Sequence, residues 1–140
     1  MARVDFYVLK QEGSQSRNTF ACRLAEKAWR LENTVHIHTN NRDEAERINE
    51  LLWTFRDGSF VPHELLTTSG RSAPVTIGSG DIAVQGRDLL INLSDTIPAF
   101  AATFPRVAEL VSSDETSKQE SRKRFAAYRE LGHTLETHDV

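Results

Sequence analysis

The densest group of side chains able to bind a charged ligand lies near the end of the chain. Between Lys118 and Arg129 there are five cations and one anion, Glu120. At about 100° per residue, Lys118, Arg122, Phe125 and Arg129 fall on one face of a helix. Arginine and lysine pair with carboxylates, and the phenylalanine offers apolar contact. The pattern predicts either a pocket for a short acidic peptide that ends in an aromatic residue or a carboxylate, or a solvated helix face with Phe125 packed inward.

A second group consists of large apolar residues around a loop. Leu51, Leu52 and Trp53 are followed by Phe60, Val61 and Pro62 within the segment SFVPH, residues 59–63. An exposed aromatic patch usually marks a partner site. The same residues could instead close one end of the core, and composition does not separate the two interpretations.

Nucleotide chemistry has one candidate motif, the segment GSGDIA at residues 78–83. It matches the G-x-G-x-x-A form of a dinucleotide fingerprint and follows a predicted strand, but such a fingerprint works only where a helix begins. The next strand is predicted from residue 87, which leaves no room for a helix. We therefore expect a connecting loop, and a small nucleotide-binding protein or enzyme that uses this loop is the alternative function.

Other reactive side chains do not assemble into a catalytic or metal site. His36 and His38 share one face of a predicted strand but have no third ligand at a helpful spacing, so we expect structural or surface histidines. Cys22 lies among alanines and leucines in a predicted helix and is expected to pack as a small hydrophobe. We expect no catalytic residue, no metal and no cofactor.

Composition and charge narrow the class of protein. The 140 residues include 17 Lys and Arg against 20 Asp and Glu, a formal net charge of −3, with 39% hydrophobic and 26% charged residues. This is typical of a folded globular chain and argues against direct, specific nucleic-acid binding. One cysteine excludes an internal disulfide, and no apolar run approaches a membrane span. We expect a single domain over residues 1–140, in the cytoplasm and away from membranes.

The elements that position these groups alternate along the chain. Short apolar runs rich in β-branched residues predict strands at residues 3–9, 34–38, 74–77, 87–93 and 106–111. Helical spacing predicts helices at residues 17–31 with Ser16 as N-cap, from Asn40 or Asn41 to about 53, at 98–104, and at 114–131 closed by Gly132. Residues 56–72 are predicted to be mostly loop, and residues 133–140 a frayed tail. The order predicts a three-layer α/β/α fold with a mostly parallel sheet of about five strands, Rossmann-like but without a nucleotide site.

The motifs together resemble a known family over roughly residues 4–135, the chi subunit of the bacterial DNA polymerase III holoenzyme. The matching segments are FYVL at 6–9, EKAWR at 26–30, LW at 52–53, SFVPH at 59–63, APV at 73–75, DLLINL at 88–93 and the final R-x-RF-x-AYR at 122–129. Phe125 departs from the pattern because a tyrosine is expected there, and Ala126 stands where a basic residue can occur.

The resemblance implies a non-catalytic adaptor with an α/β/α fold. Chi proteins bind the psi subunit, which links them to the clamp loader, and the acidic C-terminal tail of single-stranded DNA-binding protein. Carried over by position, the resemblance assigns Trp53, Phe60 and Pro62 to the psi-facing surface. It assigns the tail pocket to Val111, Lys118, Arg122 and Phe125, supported by Tyr128 and Arg129.

Overall fold

The computed structural model describes residues 2–58, 60–66, 73–80, 84 and 87–140. Its strands form one seven-stranded sheet in which every pairing is parallel. The strands are β1 Arg3–Val8, β2 Val35–Thr39, β3 His63–Leu65, β4 Val75–Ser79, β5 Leu89–Asn92, β6 Arg106–Val111 and β7 Thr134–Asp139. Their order across the sheet is β3-β4-β2-β5-β6-β1-β7.

Helices cover both faces of this sheet, as the predicted three-layer α/β/α fold requires. They are α1 Ser14–Arg30, α2 Arg42–Thr54 and α3 Glu115–Glu130, with a 3₁₀ helix at Ala99–Thr103. One core joins α1 and α2 to one face of the sheet, where Ile91 and Ala108 point. The second core joins α3 and the 3₁₀ helix to the other face, where Leu90 and Val107 point. Neighbouring strand residues enter opposite cores because side chains alternate along a strand.

The helix ends show how local chemistry sets the boundaries. Asn41 caps α2 as predicted, and its side-chain oxygen accepts a hydrogen bond from the backbone N–H of Glu44 at 2.9 Å. Gly132 follows α3 with a φ of 85° and donates its N–H to the carbonyl of Arg129, as expected at a helix C-terminus. The helix predicted at residues 17–31 is confirmed as α1, but its predicted start and N-cap were wrong: it begins at Ser14 after Gly13, and the Ser16 hydroxyl bonds the Gln11 side chain.

Two strands were missed, so the prediction of about five strands was too low. β3 lies in the segment predicted to be mostly loop and pairs with β4 at one edge of the sheet. β7 lies in the tail predicted to be frayed and pairs with β1 at the other edge. β4 and β5, predicted as successive strands, are separated in the sheet by β2. None of the helices in the described parts of the chain has the length and apolar character needed to cross a bilayer.

Besides strand pairing, a hydrogen bond and an ion pair link the side chains of β7 to those of β1. Asp5 on β1 is 3% exposed at its side chain and accepts from His138 at 2.9 Å and from Arg3 at 3.2 Å. Arg3 also reaches Glu136 at 3.0 Å, and the rings of Tyr7 and His138 stack with centroids 5.0 Å apart. Burial alone would raise the pKa of Asp5, but the hydrogen bonds from His138 and Arg3 outweigh it, so the pKa lies below its usual value.

The fingerprint-like segment begins inside a strand, which accounts for its first glycine. Gly78 belongs to β4, and a Cβ added there would lie 2.9 Å from Cε1 of His36. The glycine therefore makes room for a histidine ring on the neighbouring strand. Gly80 forms a turn with a φ of 60°, while residues 81–83 of the motif lie outside the described residues.

His36 and His38 are structural residues, as the sequence predicted. Both are buried beside Phe100, and Nδ1 of His36 lies 2.8 Å from the Thr76 hydroxyl. The other ring nitrogen of His36, Nε2, has no hydrogen-bond partner within the part of the chain that the structure describes. Burial lowers the pKa of His36 to about 3 and also lowers that of His38. Both imidazoles are therefore neutral in the folded protein at neutral pH.

We predict that acid destabilises the fold through these histidines. A histidine with a folded-state pKa of about 3 takes up its proton near pH 6.5 only when the chain unfolds. The stabilisation is complete above that pH and is lost as the pH falls toward 3, at about 1.4 kcal/mol per pH unit for one such group. Urea unfolding between pH 7 and 4 should show this slope, and His36→Gln should reduce it. An unchanged slope in the variant would contradict the assignment.

Candidate functional site

A cavity of about 310 Å³ lies between α3 and the strands beneath it, and we call it the α3 cavity. Four of the predicted tail-pocket residues line it: Val111, Lys118, Arg122 and Phe125. The other lining residues, not singled out from the sequence, are Phe6, Val8, Ser121 and Thr137. The predicted helix face is thus turned toward a concave site.

Strand register builds the apolar floor of the α3 cavity. Val8 on β1 pairs with Val111 on β6, and Phe6 pairs with Thr137 on β7. The ring of Phe125 packs on Phe6 with centroids 5.2 Å apart. Because side chains two residues apart share one face of a strand, the three strands present a continuous surface to α3.

The rim of the α3 cavity is cationic. Arg122 is exposed and Lys118 is half-buried, and neither has a carboxylate partner among the described residues. Lys123 pairs with Glu120 at 3.3 Å and does not line the cavity. An apolar floor beneath free positive charges can bind an anionic group attached to an apolar one.

The resemblance implied Tyr128 and Arg129 as supporting residues, and each contacts an aromatic residue that lines the α3 cavity. The Arg129 guanidinium carbon lies 5.9 Å from the Phe125 ring centroid, within the range of a cation–π contact. Tyr128 is fully buried, and its ring lies edge-on to Phe6 at 6.1 Å. Neither side chain lines the cavity.

A fully buried carboxylate, that of Glu109 on β6, fixes α3 from below. It accepts hydrogen bonds from the Tyr128 hydroxyl at 2.6 Å, from Arg124 Nε at 3.0 Å and from Asn92 Nδ2 at 2.8 Å. Arg124 also donates to the carbonyl of Asp95 at 3.1 Å. Arg124, counted in the sequence among the cations of the last helix, therefore points into the protein and adds no charge to the cavity.

The protonation of this network follows from burial and from its donors. Burial raises the pKa of Glu109, while Arg124 and the hydrogen bonds from Asn92 and Tyr128 favour the carboxylate. Burial and the neighbouring Glu109 charge raise the pKa of Tyr128, so its hydroxyl remains a donor. Removing one partner of a buried pair of this kind is strongly destabilising, because it leaves a buried charge uncompensated.

Some of the apolar residues around the loop after α2 close the core, and others form an exposed aromatic patch. Leu52 and Val61 are 1% exposed and close the core. Trp53 is 55% exposed and Phe60 63% exposed, and their rings meet edge to face at 5.5 Å. Pro62 beside them is half-buried. We call Trp53, Phe60 and Pro62 the Trp53 patch; Ser59 of the same motif lies outside the described residues.

His63 on β3 supports the Trp53 patch. Its ring centroid lies 4.8 Å from that of Trp53, and its two nitrogens face the carbonyl oxygens of Val61 at 2.6 Å and Asn49 at 3.1 Å. The indole is therefore held in place on one side and exposed on the other. An aromatic pair of this kind is typical of a protein-binding surface.

The other reactive side chains of the described residues are buried or already paired. Cys22 is buried, and burial raises the pKa of its thiol to about 12. Within the described residues, Asp5, Glu136 and His138 alone form a group that could hold a metal ion. The Asp5 carboxylate already carries Arg3 and, at 3.4 Å, Arg106, so two positive charges compete with any cation there.

Of the strand residues that line the α3 cavity, only Val111 was named from the sequence, and the other three were missed for identifiable reasons. Phe6 and Val8 alternate along β1, and this period-2 signal could have placed them on one face. Whether that face lay under α3 depended on the order of strands. Thr137 gave no signal because the tail was predicted to be frayed.

The fold and the two surfaces define a class of protein: an α/β/α protein with a parallel sheet that carries an exposed aromatic patch at one edge and a cationic cavity at the other. A family model described as DNA polymerase III chi subunit, HolC, matches residues 1–136. The chain is 42% identical over 138 residues to the DNA polymerase III subunit chi of Pseudomonas aeruginosa, covering 99% of this chain and 96% of that protein. The chi subunit of Haemophilus influenzae is 34% identical, covering 96% and 95%, and that of Escherichia coli is 33% identical, covering 98% and 97%.

The chain belongs to the DNA polymerase III chi subunit family. The resemblance noted in the sequence is thereby confirmed. The protein is a subunit of a replicative polymerase and acts in DNA replication as part of that complex.

We predict that Tyr128→Phe destabilises the protein by about 1–3 kcal/mol, because it leaves the buried Glu109 carboxylate without one donor. Tyr7→Phe is the matched control, since the Tyr7 hydroxyl has no hydrogen bond among the described residues. Urea unfolding of both variants at pH 7 measures the difference. Equal stabilities of the two variants would show that the Tyr128 hydroxyl does not support α3.

Proposed function

We propose that this chain is a non-catalytic adaptor of the replicase, working in the cytoplasm. One surface binds the psi subunit and so reaches the clamp loader. The other binds the acidic C-terminal tail of single-stranded DNA-binding protein. The α3 cavity is the observation that carries the proposal, because it combines an apolar floor with unpaired cations.

The positions of the two surfaces favour an adaptor. The Trp53 patch adjoins β3 at one edge of the sheet, in the layer of α1 and α2. The α3 cavity adjoins β7 at the other edge, on the opposite face. Neighbouring strands are about 4.8 Å apart, so roughly 30 Å separates the outer strands. Two partners can therefore be held at once without meeting.

The tail contact follows from chemical complementarity. Acidic side chains and a terminal carboxylate pair with Lys118 and Arg122, with Arg129 close by. The terminal aromatic residue of the tail packs on Val111 and Phe125. A short peptide covers little area, so the expected affinity is about micromolar, or about −8 kcal/mol.

We predict that Arg122→Ala or Lys118→Ala weakens binding of such a peptide about tenfold or more, because each removes a charge-assisted contact. Lys123→Ala is the matched control, since Lys123 is paired with Glu120 outside the cavity. Fluorescence anisotropy with a labelled peptide measures the affinities, which should also fall as salt rises through about 0.15 M.

A second peptide separates a pocket from diffuse attraction. Removing the terminal aromatic residue should abolish most of the affinity, because the Phe125 and Val111 surface then loses its apolar contact. Equal losses of affinity in the Lys123 and Arg122 variants would show that the cationic rim is only a solvated helix face. Binding that does not depend on the terminal aromatic residue would show the same.

The contact with psi rests on the exposed aromatic pair. Trp53 and Phe60 keep more than half of their surface in water, and large aromatic anchors of this kind dominate protein interfaces. The buried neighbours Leu52 and Val61 hold the loop to the core, so the patch is already shaped before a partner arrives.

We predict that Trp53→Ala weakens association with psi by about 2 kcal/mol or more, about 30-fold, while leaving the fold intact. Leu131→Ala is the matched control because Leu131 is 66% exposed at the end of α3, on the opposite face of the sheet. Titration calorimetry with purified psi gives the affinity, and thermal unfolding checks the fold. Unchanged affinity in Trp53→Ala would remove the psi assignment from this patch.

A further inference from the structure

The exposed face of α1 carries a second set of cations, on the opposite side of the sheet from α3. Arg23, Lys27 and Arg30 recur at helical spacing and share a cavity of about 420 Å³ with Arg56, which follows α2. The helix as a whole has four cations and one carboxylate, Glu26. The exposed face of α1 is therefore positively charged although the net charge of the chain is −3.

A buried carboxylate arranges part of this surface. Glu26 is 5% exposed and pairs with Arg56 at 2.7 Å and Arg30 at 3.5 Å, so it draws two guanidinium groups from different elements together. Arg23 and Lys27 have no carboxylate partner among the described residues. Two free charges and two oriented guanidinium groups are thus exposed side by side.

Two further cavities adjoin this one and share lining residues with it. Arg23 also lines a cavity of about 950 Å³ with Lys10 and Phe20, near the end of β1. Lys27 also lines a cavity of about 250 Å³ with Tyr7 and Arg106. Because Arg23 and Lys27 each line two of these cavities, the three cavities adjoin one another beside α1, whose 17 residues span about 25 Å, and we call the set the α1 groove.

The charges and aromatic rings of the groove point to one kind of ligand. Six cations line it against three carboxylates: Lys10, Arg23, Lys27, Arg30, Arg56 and Arg106 against Glu12, Glu26 and Asp88. Phe20 and Tyr7 are half-buried beside it, with ring centroids 5.5 Å apart. Proteins that bind single-stranded nucleic acid combine a basic groove with aromatic rings on which the bases stack.

We propose that the α1 groove binds single-stranded nucleic acid through its phosphate backbone. Guanidinium groups match phosphate oxygens with paired hydrogen bonds, and a groove of this length contacts several successive phosphates. An acidic peptide with an apolar end fits less well, because the central cavity around Arg23 and Lys27 lacks the apolar floor that Val111 and Phe125 give the α3 cavity. Such binding is independent of base sequence, so it does not conflict with the expectation that the chain makes no specific nucleic-acid contact.

The test is fluorescence anisotropy of the full chain with a labelled short oligodeoxythymidylate at low salt. We expect weak binding whose affinity falls with salt at a logarithmic slope of about −0.7 per phosphate contacted. Arg23→Glu with Lys27→Glu should weaken binding tenfold or more and reduce the slope by about 1.4. Arg42→Glu with Lys123→Glu is the matched control, because it makes the same change in charge at two exposed sites outside the groove.

Further variants and a second ligand test which surface binds the oligonucleotide and which ligand the α1 groove prefers. Arg122→Glu should leave oligonucleotide binding unchanged, whereas an equal or greater loss there would assign the contact to α3 and overturn the proposal. Absence of oligonucleotide binding at low salt would overturn it, as would equal losses in the groove variant and its control. Preference of the groove for a labelled acidic peptide over the oligonucleotide would also overturn it. Thermal unfolding of each variant confirms that the fold is intact.

Discussion

The buried carboxylate of Glu109 is the constraint on which the α3 side of the molecule depends. A charge without access to water is tolerated only when its oxygens are satisfied, and here the donors come from β5 and from two successive turns of α3. Those bonds are directional, so they fix how α3 is rotated on the sheet. The rotation that turns Arg124 and Tyr128 inward also turns Lys118, Arg122 and Phe125 toward Val111. The cavity is therefore a consequence of the network beneath it.

The two basic helices lie on opposite faces of one sheet, and buried carboxylates organise both. Glu109 holds Arg124 under α3, and Glu26 holds Arg30 and Arg56 over α1. In each case one arginine is used for structure while neighbouring cations remain free. The sites differ in what lies beneath the charges: strand side chains form an apolar floor under α3, whereas α1 presents an open groove. This difference is the physical basis for assigning them to different anionic ligands.

The central fold was predictable from sequence because its strands are short, apolar and separated by amphipathic helices; Val35 and Ile37 in β2 are an example. The edge strands were not. β3 has three residues, too few to show a period. β7 has one large apolar residue, Leu135, so its position comes from pairing with β1, from the hydrogen bond between His138 and Asp5, and from the ion pair between Glu136 and Arg3. Glu109 gave no signal, since a glutamate in RVAELV is consistent with an exposed position. Helical spacing brought Lys118, Arg122 and Phe125 onto one face, whereas of the strand floor only Val111 was named, through the family resemblance.

The shifted pKa values of the buried groups indicate that these groups have structural roles. At neutral pH the His36 imidazole is neutral, with a pKa near 3, and the Cys22 thiol is protonated, with a pKa near 12. Neither can exchange a proton easily near pH 7, as general acid–base catalysis requires. The Tyr128 hydroxyl is bound to Glu109 and is likewise held in one state. Cations without a carboxylate partner among the described residues, together with exposed aromatic rings, lie outside this interior, and the proposed binding to other subunits rests on them.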